Sequence, residues 1–202
     1  FHPAIQKIKE LLDQGAIGSL QYIYSNRLNL GIVRQNENVF WSLAPHDISI
    51  FQHFIKSKPL KITSVGTAFL QHNIYDTTLT MLEYERNIKG HIFVSWIHPF
   101  KEHRLMLVGS EGMISFEDSA INKPLKYYDK KFDISGKFPE KKEGAVKLIS
   151  YDKEMPLLLE LKYFIEHLDG RPIKIANGDS AVEVVQILVN AAESLNKGRA
   201  VG

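Results

Sequence analysis

Apolar residues recur at two different periods in the first part of the chain. Over residues 3–14 they fall three and four positions apart, which predicts an amphipathic helix that Pro3 is suited to begin. The apolar stripe of that helix consists of Ile5, Ile8, Leu11 and Leu12. Residues 19–30 alternate between apolar and polar side chains, which predicts a strand, and the polar residues 31–39 predict a loop.

A second helical stripe begins after this loop. We predict a helix from Ser42 or Pro45 to Ile55, ended by the Lys-Ser-Lys-Pro sequence of residues 56–59. Its apolar face consists of Ile48, Phe51, Phe54 and Ile55. The triplet Pro45-His46-Asp47 therefore places a titratable imidazole just ahead of a buried face.

The middle of the chain changes to strand patterns rich in β-branched and aromatic residues. The predicted strands are residues 60–69, 77–85, 90–98, 103–110 and 112–118. Short turns at residues 87–90 and 110–112 imply antiparallel neighbours, because parallel strands need a long crossover. Residues 123–153 hold nine lysines against five acidic residues, and we interpret their two weak strands as a solvated hairpin rather than a phosphate-binding flap.

Two helices are predicted to close the chain, at residues 156–168 and 180–198. The second has Asp179 or Ser180 as its cap and Gly198 after its end. Together the patterns predict one α+β domain over residues 1–202, an open-faced, mostly antiparallel β-sheet with helices gathered on one face. If the other face is also apolar, a second subunit should cover it.

The amino-acid composition excludes several kinds of functional site. The chain has no cysteine, which excludes disulfides, thiolate zinc sites and cysteine nucleophiles. Its net charge of +2 provides no general attraction to nucleic acid or membranes, and no apolar run approaches the roughly 20 residues of a membrane helix. We expect a soluble, cytoplasmic protein that binds neither nucleic acid nor membrane, and no signal peptide is visible.

The chain opens on Phe1 and enters a helical pattern at once, so we expect a piece of a longer protein. No glycine-rich phosphate-binding turn follows a strand, and residues 108–112 form a turn between strands instead. This piece is therefore predicted to carry no nucleotide-binding fold and no cofactor-binding residue of its own.

His46 has three possible roles. A metal site is disfavoured because further ligands are not suitably placed, so no metal ligand is predicted. A general acid–base role is compatible with an imidazole whose charged form the helix N-terminus disfavours. The alternative is a histidine whose ring is hydrogen-bonded by backbone groups. The residues alone do not decide between the acid–base role and this alternative. They also do not decide whether Asp47 is an acidic residue that favours the helix start or one that orients the His46 ring.

Other polar residues have two possible roles in the same way. Arg34 and Asn38 precede His46 in the loop and either bind substrate or satisfy the loop. Trp41 either walls a planar ligand or belongs to the core. His98 either faces a cleft or lies idle at a strand end, and Arg27, inside a strand, either faces solvent or marks a cleft.

Four segments together resemble a known family. They are "HPAIQKIKELLDQGAIGSLQYIYSNR", "NENVFWSLAPHDISIF", "VGSEGMISF" and the ending "PLLLELKYFIEHLDGRPIKIANGDSAVEVVQILVNAAESL". In this order they are similar to the C-terminal half of the glucose–fructose oxidoreductase/inositol dehydrogenase family (Gfo/Idh/MocA). The resemblance implies an oxidoreductase whose NAD or NADP is bound mainly by an N-terminal Rossmann domain, absent here together with its catalytic lysine. It also implies a homo-dimer or homo-tetramer formed through the sheet face.

The resemblance assigns the family's catalytic histidine to His46. Many members have an aspartate four residues earlier, where this chain has Ser42, which cannot offset an imidazolium charge. The block around residues 27–47 is most similar to the branch acting on nucleotide-linked sugars, which implies that Arg34, Asn36 and Asn38 line the sugar pocket.

The expected substrate-binding residues are Arg34, Asn36, Asn38, Trp41, Ser42 and His98. The expected function is the substrate-binding, catalytic-histidine half of an NAD(P)-dependent oxidoreductase acting on a sugar or nucleotide-sugar hydroxyl, inactive alone. The alternative is a non-catalytic binding or oligomerisation module of the same fold.

Overall fold

The computed structural model describes residues 1–197, which form one eight-stranded sheet with helices against it. The helices are α1 (Pro3–Asp13), α2 (Val39–Leu43), α3 (Pro45–Ile55), α4 (Pro156–Glu166) and α5 (Gly178–Lys197). The strands are β1 (Leu20–Leu30), β2 (Lys61–Thr67), β3 (Thr77–Glu83), β4 (Lys89–Ser95), β5 (Ile97–Gly109), β6 (Met113–Glu117), β7 (Leu125–Asp133) and β8 (Glu140–Leu148). The predicted end of the last helix at Gly198 lies outside the described residues.

The strand order is β2-β3-β4-β1-β5-β6-β7-β8. The β3–β4 and β5–β6 pairs joined by the predicted tight turns are antiparallel, which confirms those turns. The exception to antiparallel pairing is β1 with β4, because β1 lies between the consecutive strands β4 and β5 and runs parallel to β4. This insertion brings the first strand to the centre of the sheet.

One face of the sheet carries the core. Its central residues are fully buried: Ile23, Ile92, Leu107 and Ile114. The facing helices contribute Ile8 from α1, Ile48 and Phe51 from α3, and Leu188 and Ala191 from α5. The predicted class, an open-faced and mostly antiparallel α+β sheet with helices on one face, is confirmed.

The opposite face of the sheet, here called the outer face, is apolar as well. Its cross-strand row Val65–Leu79–Phe93 runs over β2, β3 and β4, and Tyr24 of β1 pairs with Met106 of β5. Val65 is 58% exposed and Leu79 is 38% exposed, so no described element covers this row.

Two helix starts differ from the prediction. The loop over residues 31–39 ends earlier than expected, because the Asn38 side chain accepts hydrogen bonds from the N–H groups of Phe40 and Trp41 and begins α2. Asp179 or Ser180 was predicted to cap the last helix, but neither caps α5. The cap is Asn177, whose side-chain oxygen accepts a hydrogen bond from the Ser180 N–H at 2.9 Å.

The last third of the chain includes elements that are largely exposed to solvent. Every residue of β8, the edge strand, is exposed, and no residue of α4 is buried. The apolar residues that α4 presents include Leu157, Leu161, Phe164 and Ile165, each 49–64% exposed. None of the helices within residues 1–197 is both long and apolar enough to cross a membrane.

Candidate active site

The start of α3 fixes the position of His46. Pro45 occupies the first helical position, where a missing N–H costs no hydrogen bond. Ile48 and Phe51, both fully buried, anchor the following turn in the core. His46 lies on the opposite side and is exposed, and its ring makes no hydrogen bond to any residue in 1–197. The His46 ring nitrogens are therefore available to bind a ligand.

Asp47 is held by an arginine rather than by the imidazole next to it. Its carboxylate accepts two hydrogen bonds from Arg27 of β1, Nε to Oδ2 at 2.8 Å and Nη2 to Oδ1 at 3.1 Å. Asp47 is 4% exposed, so this two-bond pairing compensates a buried charge. The arginine inside a predicted strand thus marks a cleft, and Asp47 does not hydrogen-bond the His46 ring.

A pocket of about 210 Å³ adjoins this pair. We call it the imidazole pocket. Its polar lining residues are His2, Arg27, His46, Asp47, His103, Arg104 and Asp118. Its apolar lining residues are Ile5, Ile50, Leu105 and Phe116, which come from α1, α3, β5 and β6.

Most charges of the imidazole pocket are compensated inside the protein. The Asp118 carboxylate lies 2.7 Å from Lys123 Nζ and 3.6 Å from His2 Nε2. Arg104 pairs with Glu117 at 3.0 Å. Among residues 1–197, the polar side chains that line the pocket without such a partner are the rings of His46 and His103.

Both of these rings favour the neutral form. The pKa of His46 is lowered, first because the surrounding protein partly desolvates the ring and second by the charge of Arg27, while Asp47 and Glu160 act in the opposite direction. The pKa of His103 is lowered by desolvation, by Arg27 and by Lys101. A neutral imidazole has one nitrogen that accepts a proton or a hydrogen bond and one that donates.

The residues expected to bind substrate lie mainly elsewhere. Asn36, Asn38 and Trp41 line a separate open cavity of about 590 Å³, which His46 does not line. The Asn38 side chain is occupied as the cap of α2. Arg34 is exposed and lies 3.8 Å from Glu37.

Ser42 and His98 are not brought into either cavity. The Ser42 N–H donates to the Asn38 carbonyl at 3.1 Å, within α2. His98 lies at the start of β5, where its Nδ1 is 3.1 Å from the Phe100 carbonyl and its ring contacts the Phe100 ring edge-on. The structure thus groups three of the six residues and leaves the other three apart.

Sequence reasoning missed His2, His103 and Asp118. A signal for His103 existed: it continues the inward alternation of Leu105 and Leu107, as Arg27 continues that of Ile23 and Ser25. A titratable side chain at an inward position near a strand end indicates a cleft. No comparable pattern indicated His2 or Asp118, whose proximity depends on α1 meeting the end of β6.

Comparison with known proteins gives a family match and a set of similar structures. The model of the GFO/IDH/MocA C-terminal domain matches residues 5–115, more than half of the chain. No curated protein matches the chain by sequence.

Three solved structures illustrate the likeness. One is UDP-N-acetylglucosamine 3-dehydrogenase GnnA from Acidithiobacillus ferrooxidans, with a TM-score of 0.76, 16% identity, and coverage of 96% of this chain and 61% of that one. Another is the WlbA dehydrogenase from Bordetella pertussis in complex with NADH and UDP-GlcNAcA, with a TM-score of 0.71, 15% identity, and coverage of 96% and 59%. The third is aldose-aldose oxidoreductase from Caulobacter crescentus complexed with glycerol, with a TM-score of 0.78, 11% identity, and coverage of 96% and 59%. The chain spans about 60% of the length of these proteins, and at such identities the likeness establishes the fold.

Proposed function

The chain belongs to the family of GFO/IDH/MocA C-terminal domains, and from this premise we propose that it is the substrate-binding, catalytic-histidine half of an NAD(P)-dependent oxidoreductase. The substrate is a sugar or a nucleotide-linked sugar, and the reacting group is one of its hydroxyls. The observation that carries the proposal is the His46 ring, exposed and unpartnered among residues 1–197, beside a pocket whose charged groups are already paired.

His46 acts as the general base for alcohol oxidation. Oxidising an alcohol to a carbonyl removes a hydride from carbon and a proton from oxygen. The chemistry that a nicotinamide supplies when bound is the hydride transfer. His46 removes the hydroxyl proton. One of its ring nitrogens can accept that proton because the pKa of His46 is lowered and its ring is neutral near pH 7.

Ser42 changes how the resulting imidazolium is accommodated. A serine cannot offset a positive charge, and the carboxylate of the adjacent residue, Asp47, is already engaged by Arg27. The imidazolium is therefore a short-lived state that passes its proton to solvent from an exposed position. This arrangement fits a base that must return to its neutral form between turnovers.

The dinucleotide has to be held by a second domain. The described residues contain no strand–glycine turn–helix unit that could bind its pyrophosphate. The exposed apolar side chains of α4 support a domain contact at that helix, and Glu160 of the same helix is close enough to His46 to influence its pKa. Without that domain the chain is expected to be inactive.

The nucleotide-sugar assignment is supported by the likeness to UDP-N-acetylglucosamine 3-dehydrogenase and to WlbA. The imidazole pocket holds the reacting hydroxyl, and the open cavity offers the Asn36 amide and the Trp41 indole surface to a second part of a large substrate. Arg34 lies at the edge of the same loop.

The test of the proposal is the His46→Asn variant in a protein that also contains the dinucleotide-binding domain. Asparagine keeps hydrogen-bonding capacity but cannot take up a proton, so turnover should fall by about a hundredfold or more. Turnover is measured as NAD(P)H formation with UDP-N-acetylglucosamine. The matched control is His53→Asn on the same helix, which lines neither the imidazole pocket nor the open cavity and should retain activity.

The alternative is a binding or oligomerisation module without chemistry. Ser42 in place of the expected aspartate favours it. An unchanged turnover in the His46→Asn variant, or a reading frame upstream of Phe1 that encodes no glycine-rich turn and no Glu-Lys-Pro sequence, would establish the alternative instead.

Self-association through the outer face belongs to the same proposal. The apolar row Val65–Leu79–Phe93 is uncovered among the described elements, and an isologous contact between two copies would bury it on both. The outer face therefore supports a homo-dimer, or a homo-tetramer if a second contact is added.

A further inference from the structure

His103 shares a pocket with His46 although 57 positions separate them in the sequence. The link between them is Arg27. Arg27 and His103 are directly opposite each other across the antiparallel β1–β5 pair, so their side chains lie on the same face of the sheet. Arg27 in turn holds Asp47, the residue next to His46. The two imidazoles thus approach one pocket from β5 and from α3.

The main chain at His103 is fixed while its ring is free. Its N–H donates to Glu117 Oε1 at 3.2 Å and to Ser119 Oγ at 3.1 Å, and its carbonyl accepts from the Asp118 N–H at 2.9 Å. The ring makes no hydrogen bond within residues 1–197. A side chain that is anchored through its backbone and retains unused ring nitrogens is arranged to contact something that enters the pocket.

The chemistry of the pocket selects a neutral, hydroxylated group. Asp47, Asp118 and Arg104 are each paired with an oppositely charged side chain. What remains is two neutral imidazoles, each with one donor and one acceptor nitrogen. A hydroxyl also donates and accepts, so two adjacent hydroxyls of a sugar ring match the two imidazoles.

The size of the pocket agrees with this match. Its volume of about 210 Å³ is below the roughly 300–1,000 Å³ typical of complete small-molecule sites. It accommodates the reacting edge of one sugar ring and not a whole nucleotide sugar.

We propose that His103 is a second substrate-contacting residue, which hydrogen-bonds the hydroxyl adjacent to the one that His46 deprotonates and thereby contributes to sugar selectivity. The inference rests on the proposed function and assigns a specificity-determining residue to it. His103 moves no proton in the reaction, and its contribution is to orient the sugar ring and to favour sugars with a hydroxyl at that position.

The test is an NMR titration that follows the ring Cε1–Hε1 signals of the chain. The probes are N-acetylglucosamine and UDP-N-acetylglucosamine, raised to millimolar concentration. The signals of His46 and His103 should shift together with the same apparent Kd. Followed through the His46 signal, the His103→Asn variant should weaken binding by about tenfold or more, because the shorter asparagine side chain no longer reaches the substrate hydroxyl.

The matched control is His91→Asn. His91 lies on the outer face, where its ring stacks on Tyr24 at 4.8 Å, and its replacement should leave the Kd unchanged. Unmoved signals of the remaining histidines in the His103→Asn variant verify that the fold is retained.

The outcomes separate the two proposals. A shift of His46 without His103, or an unchanged Kd in the His103→Asn variant, overturns the role of His103 and leaves the proposed function standing. A titration in which neither signal moves with either probe contradicts both.

Discussion

The protonation of His46 depends on charged groups from several elements. Arg27 from β1 lowers its pKa, whereas Asp47 from α3 and Glu160 from α4 raise it. The imidazole pocket adds the titratable groups of His2, His103 and Asp118. Partial desolvation remains the largest cause, so the pKa lies below the ordinary value of 6.5 and the ring is neutral at pH 7.

This balance can be tested at Glu160, which is exposed, so its replacement should leave the fold intact. We expect Glu160→Gln to lower the pKa of His46 further, because it removes a negative charge that favours the imidazolium. The measurement is a pH titration of the His46 ring signal by NMR, in which the wild-type midpoint should lie below 6.5. Glu166→Gln, on the same helix, should not move it; a wild-type midpoint above 6.5 would contradict the assignment.

Individual residues were predictable only where their chemistry is local. His46 at the start of a helix and an arginine inside a strand are both visible in the sequence. Arg27 and Asp47 are twenty positions apart, and nothing in either segment indicates that they form the ion pair at 2.8 Å. Asn38 shows the reverse: satisfying its own loop was one of its two predicted roles, and the cap of α2 accounts for the side chain without a ligand.

At the scale of elements, α2 depends on its cap. The helix has five residues, and the Asn38 side-chain oxygen satisfies two of its free N–H groups. Asn38→Ala should lower the free energy of unfolding by about 0.5–2 kcal/mol, while Asn38→Asp or Asn38→Ser should lose little. Urea denaturation measures the difference.

Asn36 provides the control for this prediction. It lies two residues earlier in the same loop, is exposed and makes no hydrogen bond to a residue in 1–197, so Asn36→Ala should leave stability unchanged. Equal stability of Asn38→Ala and Asn36→Ala would show that the cap contributes nothing.

Periodicity predicted most of the elements, but it did not predict which strands are neighbours in the sheet. Turn chemistry identified the β3–β4 and β5–β6 hairpins because both strands of a hairpin are close in sequence. The position of β1 between β4 and β5 depends on contacts across more than sixty residues, which no local pattern encodes. That insertion is what brings Arg27 beside His103.

At the scale of the whole molecule, the outer face is the feature that the described chain leaves uncovered. Leu79 lies at the centre of its row, between Val65 and Phe93. A charge at this position should prevent two copies from packing, because an unpaired charge would be buried in the contact. Sedimentation velocity should therefore show a dimer or larger species for the wild type and a monomer for Leu79→Asp.

Phe138→Asp is the matched control. Phe138 is 71% exposed in the loop of the β7–β8 hairpin, away from the row, and its replacement should leave association unchanged. A monomeric wild-type chain would contradict the proposal that the outer face mediates self-association. A Leu79→Asp variant that associates as strongly as the wild type would contradict it as well.

The sequence by itself determined most of the elements, the α+β class and the position of His46 at a helix start, because periodicity and turns act between residues close in the chain. The tertiary structure alone decided the order of the strands, the Arg27–Asp47 pair, the imidazole pocket and the separation of His46 from the loop of Asn36 and Asn38. These features depend on which distant segments pack together, and that choice follows from the burial of the whole core.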